Sequence, residues 1–216
     1  MAEQIGFLGP GLMGRGIVRN LLAKGYSVMV FEHRAGLNLE ALKAAGATVT
    51  NSLATVGKTC ARVLLCMPSS KEVEATILGS QGLNESMNEG SVIVDFSTSH
   101  PTSTRMLAEK LDARRIGFLD APMTGSAAQA NAGELNLMVG GKREIYEQCL
   151  PIFRAVAKNI FHVGPTGHGN IVKLINNFLG QLANAGLAEV LPLGACRRKN
   201  LLREQIPSPG LSRYSV

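Results

Sequence analysis

QIGFLGPGLMGRGIVRNLLAKGYSVMVFE, residues 4–32, decides the fold. An apolar run (4–9) enters a loop with Gly9-x-Gly11-x-x-Gly14. A helical pattern over 12–24 follows, then a second apolar run (27–32) that ends on an acid, Glu32. Three glycines at this spacing are weak evidence alone. Between a strand and a helix, with a carboxylate closing the next strand, they are the layout that binds a dinucleotide. Gly9 permits the tight turn, Gly11 lets the backbone approach a pyrophosphate, and Gly14 lets helix pack close to strand. Leu12 and Met13 open the helix, whose free N–H groups and positive dipole end face the phosphates. Glu32 can accept hydrogen bonds from both adenosine ribose hydroxyls and repels a 2′-phosphate, which favours NAD. His33 and Arg34 follow directly, and a phosphate contact from Arg34 keeps NADP open.

Outward from this stretch the pattern repeats. Strand-like runs fall at 47–50, 62–67, 91–96, 116–121, 135–141 and 159–164. Helical patterns fall at 37–45, 70–78, 101–112 and 142–157. Several of the strand runs are continuously apolar, as in strands buried on both faces. Alternation of strand and helix predicts an α/β fold: a Rossmann-type, doubly wound, mostly parallel sheet over residues 1–164. Residues 165–194 form a turn-rich hinge and one long helix, and 195–216 a basic tail without periodicity. The helix, GNIVKLINNFLGQLANAGLAEV (169–190), is apolar on every side, which predicts burial all round, with Pro192 ending or kinking it.

Composition narrows the classes. Of the net charge of +6, four units come from the tail, where Arg197, Arg198, Lys199, Arg203 and Arg213 face only Glu204. No basic stripe with interleaved aromatics lies elsewhere, so nucleic acid is not an expected partner. Lys173, Asn176, Asn177, Gln181, Asn184 and Glu189 interrupt the longest apolar segment, which argues against a membrane span. Cys60, Cys66, Cys149 and Cys196 form no CxxC pair and have no histidine at metal-ligand spacing, so no metal is expected. Reduced thiols and the lack of a secretory leader point to a cytoplasmic protein.

Inside the apolar helix, Lys173, Asn176 and Asn177 stand at i, i+3 and i+4 and share a face. A lysine in apolar surroundings pays desolvation in its charged form, which lowers its pKa toward working pH and suits a general acid/base. A lysine merely snorkelling from a core helix is the plainer alternative.

Four stretches in order, IGFLGPGLMGRGIVRNLLAKGYSVMVFE, VDFSTSHP, DAPMTGSAAQANAGELNLMVGG and GHGNIVKLINN, resemble the β-hydroxyacid dehydrogenases over roughly residues 4–194. That family includes 3-hydroxyisobutyrate dehydrogenase and tartronate semialdehyde reductase, with 6-phosphogluconate dehydrogenase more distant. The resemblance implies an NAD(P)-dependent oxidoreductase acting on a small β-hydroxyacid or its semialdehyde. It implies Lys173 as the catalytic lysine, with Asn177, and with Asn176 beside them, holding substrate. It implies Thr124, Gly125 and Ser126 as the loop that binds the substrate carboxylate, and Met67, Pro68 and Thr98 as cofactor contacts. Ser126 replaces a family glycine, and would be strained if that position required positive φ. The family's second, helical domain has no counterpart here: the chain stops 43 residues after Lys173. The chain thus reads as C-terminally truncated, with a half-open site and an uncovered helix that predicts self-association. A non-catalytic dinucleotide-binding or interaction module is the alternative reading.

Overall fold

The structure is a computed structural model. It describes residues 4–33 and 38–197, the side chains of 193–197 excepted. Arg34 and the tail from 198 onward lie outside the described residues, as does residue 37; of the helix expected at 37–45, residues 38 and 39 are not helical and the helix begins at Glu40.

The amino-terminal half alternates strand and helix in the expected way. β1 (Gln4–Leu8), α1 (Leu12–Ala23), β2 (Ser27–Phe31), α2 (Glu40–Ala44) and β3 (Thr48–Thr50) come first. α3 (Leu53–Thr59), β4 (Arg62–Leu65), α4 (Ser70–Leu78), α5 (Leu83–Ser86), β5 (Val92–Asp95), α6 (Pro101–Asp112) and β6 (Gly117–Asp120) follow. The order β3-β2-β1-β4-β5-β6 is parallel throughout. Next come β7 (Met123–Thr124), α7 (Ala127–Ala132) and β8 (Leu135–Gly140), with β8 antiparallel to both β6 and β7. α8 (Arg143–Val156) then leads to β9 (Ala157–Gly164), which pairs parallel with β8. The sheet is therefore mostly parallel, with two antiparallel pairings, both made by β8.

The continuous apolar runs have the expected cause. Ile5 and Phe7 of β1 and Val92 and Val94 of β5 join a core with Ile17, Val18 and Leu21 of α1 and Phe153 of α8. Leu8, Val63, Leu65 and Ile93 face the other way, onto Val56, Val73, Ile77, Leu107 and Leu111. Helices thus cover both faces, and each such side chain removed from water contributes about 1.5–3 kcal/mol.

Four elements had no sequence counterpart: α3, α5, β7 and α7. Each has seven residues or fewer, too short for periodicity to mark. Local capping accounts for α3, where the Ser52 hydroxyl accepts from the Thr55 N–H at 3.1 Å.

Two expectations concern the long helix α9 (His168–Arg197). Of the two outcomes expected at Pro192, ending or kinking, the helix does not end there but runs on to Arg197; a proline removes one backbone bond without stopping the helix. It is also not buried all round. Ile175, Phe178 and Leu182 are 55%, 66% and 58% exposed. The elements with which α9 makes its main contacts are β8, β9, β6 and α6. At about 1.5 Å per residue the helix reaches roughly 45 Å, far beyond those neighbours.

Candidate functional site

The glycine loop behaves as its spacing requires. Gly9 has φ +88°, and a Cβ there would stand 2.1 Å from the Cys66 carbonyl oxygen. A Cβ on Gly14 would stand 2.3 Å from the Gly9 carbonyl oxygen and 2.8 Å from the Phe7 ring. Gly11, the N-cap of α1, has open space around its Cβ position. Its N–H closes the turn onto the Gly9 carbonyl at 2.8 Å. Two glycines thus serve packing, and the third leaves room for something outside the chain.

That room is a cavity of about 550 Å³ at the carboxyl ends of β1, β2 and β4. It brings together Gly9, Gly11, His33, Met67 and Pro68 from the sequence reading. It adds Arg15, whose Nε donates to the Pro10 carbonyl at 3.2 Å, and Cys66, whose thiol is pushed up to about 12, chiefly by burial. Leu12 projects into solvent, 79% exposed, while Met13 packs on the core. Glu32 directly follows β2, half-buried, and donates its N–H to the Thr50 carbonyl at 2.8 Å; it does not line the cavity. An open cradle at Gly11 beside a helix N-terminus fits a pyrophosphate. A second cavity, of about 400 Å³ between α6 and α8, shares none of these residues.

Thr98 is exposed in the loop after β5 while its neighbours Ser97 and Ser99 are buried. Those serines are held by Asp95, which closes β5. The Ser97 N–H donates to Asp95 Oδ1 and the Ser99 hydroxyl to Asp95 Oδ2, both at 2.9 Å. Ser97 Oγ in turn accepts from the Met67 N–H at 2.8 Å. Asp120, paired with Asp95 in register at the end of β6, accepts from the Gly167 N–H at 2.7 Å and the Asn170 N–H at 2.9 Å. Burial raises the pKa of both carboxyls, and these hydrogen bonds oppose the rise. Asp95, Asp120 and Asn170 were not singled out in the sequence. The available signal was a carboxylate ending an otherwise apolar strand, twice, in VIVD and GFLD.

Lys173 lies one turn beyond Asn170 on α9. It is half-buried, and burial lowers its pKa. Asn176 is half-buried and Asn177 exposed, so the helix presents this trio at its boundary with solvent. Thr124, Gly125 and Ser126 lie at the end of β7 and the start of α7. The Thr124 hydroxyl oxygen accepts from Asn136 Nδ2 at 3.2 Å. Gly125 has φ +135°, whereas Ser126 has φ −95° and carries no strain. Ser126 instead caps α7 with a capping box: its hydroxyl accepts from the Gln129 N–H, and Gln129 Oε1 accepts from the Ser126 N–H.

Fold and cavity together define a dinucleotide-binding α/β protein. The family described as the NAD binding domain of 6-phosphogluconate dehydrogenase matches residues 4–164, and the chain belongs to it, within the β-hydroxyacid dehydrogenases. The domain binds NAD(P). The NAD-dependent L-serine dehydrogenase of Pseudomonas aeruginosa is 38% identical over 89% of this chain and 64% of its own length. The 2-(hydroxymethyl)glutarate dehydrogenase of Eubacterium barkeri is 36% identical over 88% and 63%. The solved 3-hydroxyisobutyrate dehydrogenase of Mycobacterium tuberculosis with L-serine superposes with a TM-score of 0.83 at 26% identity, covering 89% of this chain and 65% of that one. The chain thus spans a little under two thirds of the length of these relatives. Among the described residues no helix is long and apolar enough to cross a membrane.

Proposed function

We propose that this chain supplies the cofactor half and the acid/base lysine of an oxidoreductase that interconverts a short β-hydroxyacid and its semialdehyde. The observation that carries the reading is the glycine loop, which opens a cavity at the strand ends beside a helix N-terminus. The substrates named in the relatives share a chemistry. L-serine, 3-hydroxyisobutyrate and 2-(hydroxymethyl)glutarate each carry a hydroxymethyl group beside a carboxylate.

In this reading Gly11 and the backbone N–H groups of Leu12 and Met13 at the helix N-terminus bind the pyrophosphate, Gly9 and Gly14 shape the loop that presents them, and Glu32 and His33 border the adenosine ribose. Met67, Pro68 and Thr98 flank the nicotinamide end. The bound nicotinamide supplies or accepts the hydride. Lys173 takes the hydroxyl proton during oxidation and returns it during reduction. Its partial burial supports this role, because a lowered pKa makes the neutral amine available. Asn176 and Asn177 orient the substrate, and the loop Thr124, Gly125 and Ser126 holds its carboxylate, with the Thr124 hydroxyl as donor and Ser126, whose N–H is taken by Gln129, fixing the loop through its capping box. We assign residues 1–164 to the cofactor domain and the segment from 165 onward, where α9 runs through the expected boundary at 194 to Arg197, to a hinge and interdomain helix. Glu32 sets a preference for NAD over NADP.

The test is a fluorescence titration of the purified chain with NADH and, in parallel, NADPH. Saturable binding with tighter NADH is expected. Tighter NADPH would overturn the assignment of Glu32, and binding of neither would overturn the cofactor reading. Lys173→Ala should retain cofactor binding and lower turnover of a β-hydroxyacid by about 10²–10⁴-fold. A parent chain that binds NADH but turns over none of these acids would instead favour the non-catalytic module.

A further inference from the structure

The first turn of α9 is held by an unusual set of buried polar bonds. Asn170 is fully buried. Its backbone N–H donates to Asp120 Oδ2 at 2.9 Å. Its side-chain oxygen accepts from the Ser99 N–H at 2.9 Å, and its Nδ2 donates to Thr104 Oγ1 on α6 at 3.1 Å. One residue therefore ties α9 to the ends of β5 and β6 and to α6. Glycines make the close approach possible. A Cβ on Gly169 would stand 2.3 Å from the Met138 carbonyl oxygen, and one on Gly140 would stand 2.6 Å from Asp120 Oδ1.

The bonds continue to the cavity wall. Ser99 is held by Asp95, Asp95 by Ser97, and Ser97 receives the N–H of Met67, which lines the cavity. Apolar contacts alone would hold α9 against the sheet but would leave its depth and rotation loosely specified. Directed, fully satisfied buried bonds specify both. Lys173 follows Asn170 by three residues and so shares its face of the helix.

We propose that Asn170, backed by Asp120, is a positioning residue for Lys173: it fixes the depth and rotation of α9 and thereby the place of the ε-amine relative to the cavity wall at Met67 and the Thr98 loop. The proposal rests on the reading that Lys173 works beside bound cofactor. Misplacing a reacting group by a fraction of its length is costly, which gives such a network its use.

The test is trace acylation of lysines with acetic anhydride on the purified chain. Lys173 is quantified by mass spectrometry against exposed Lys43, with and without NADH. Asn170→Ala should change the relative labelling rate of Lys173 about fivefold or more and reduce its protection by NADH, at an unchanged NADH Kd. Thr104→Ser keeps the hydroxyl that accepts from Asn170 Nδ2 and should retain the parent behaviour. A folded Asn170→Ala chain that labels Lys173 at the parent rate, with and without NADH, overturns the proposal. Where Asn170→Ala does not fold, Thr104→Val, which removes one bond of the set, carries the comparison, and parent-like labelling there overturns it as well. A parent that binds no NADH, or in which NADH leaves Lys173 unprotected, sinks the functional reading. The cofactor-free labelling rates still decide the role of Asn170.

Discussion

Single residues in the glycine loop separate binding from folding. Gly11 has φ −77° and no neighbour within 4 Å of its Cβ position. Gly11→Ala meets no neighbour and is therefore expected to cost only the preference of an N-cap for glycine over alanine, about 1 kcal/mol, while raising the NADH Kd by about tenfold, because the added methyl occupies the approach of the pyrophosphate. Gly14→Ala meets the Gly9 carbonyl and the Phe7 ring, and overpacking of that kind costs about 1–3 kcal/mol. Differential scanning calorimetry with NADH titration distinguishes the two, and equal effects on both readouts would contradict the assignment. Lys173 offers a second test. Burial lowers its pKa, whereas a hydrogen bond and the charge of Glu40 raise that of Lys43. Lys173 should then reach half-maximal acylation at a lower pH than Lys43. The folded chain binds the Lys173 proton less tightly than the unfolded one, so its contribution to stability rises with pH from the lowered value up to the ordinary lysine range and is lost as pH falls through the lowered value. A Lys173 midpoint at or above that of Lys43 would remove its acid/base role.

Among the elements, α7 shows how a departure from the family pattern can be structural. Serine at position 126 is a gain of a cap, since its φ of −95° needs no glycine. Ser126→Ala should cost about 0.5–2 kcal/mol and Ser126→Gly only a few tenths, measured by urea denaturation. A larger loss with glycine than with alanine would show that the cap is not what Ser126 contributes. The same element marks a limit of pattern reading. α3, α5 and α7 are one or two turns long, and what defines them is a cap or a packing partner. Gly57 in α3 is an example: a Cβ there would stand 2.1 Å from the Ser86 hydroxyl of α5. Longer elements such as α1, α6 and α8 were legible within a residue or two, because their apolar spacing persists over three turns or more.

At the scale of the molecule, α9 is the feature that the rest of the described chain does not enclose. Leu174, Ile175, Phe178, Leu179 and Leu182 are all at least 41% exposed. A contiguous apolar face of this kind drives association in water. The purified chain is expected to sediment as dimers or larger species, and Phe178→Ser combined with Leu182→Ser should shift it toward monomer. A monodisperse monomeric parent in analytical ultracentrifugation would contradict this. The candidate site divides along the same line. The cofactor loop is short-range in sequence, since its glycines, helix and carboxylate lie within residues 9–32, and it was readable there. The network around Asn170 joins residues 47 to 71 positions apart, and no local pattern announces it.

The sequence by itself determined the parallel α/β core, the dinucleotide loop and the placing of Lys173 on an apolar helix. Each rests on periodicity or on spacing within a few tens of residues. Only the tertiary structure decided which polar groups meet at the ends of β5 and β6, that Ser126 is a cap, and that the apolar faces of α9 stand in solvent. These depend on which elements become neighbours. An apolar helix records that it needs cover, but whether cover is present is a property of the assembled neighbours.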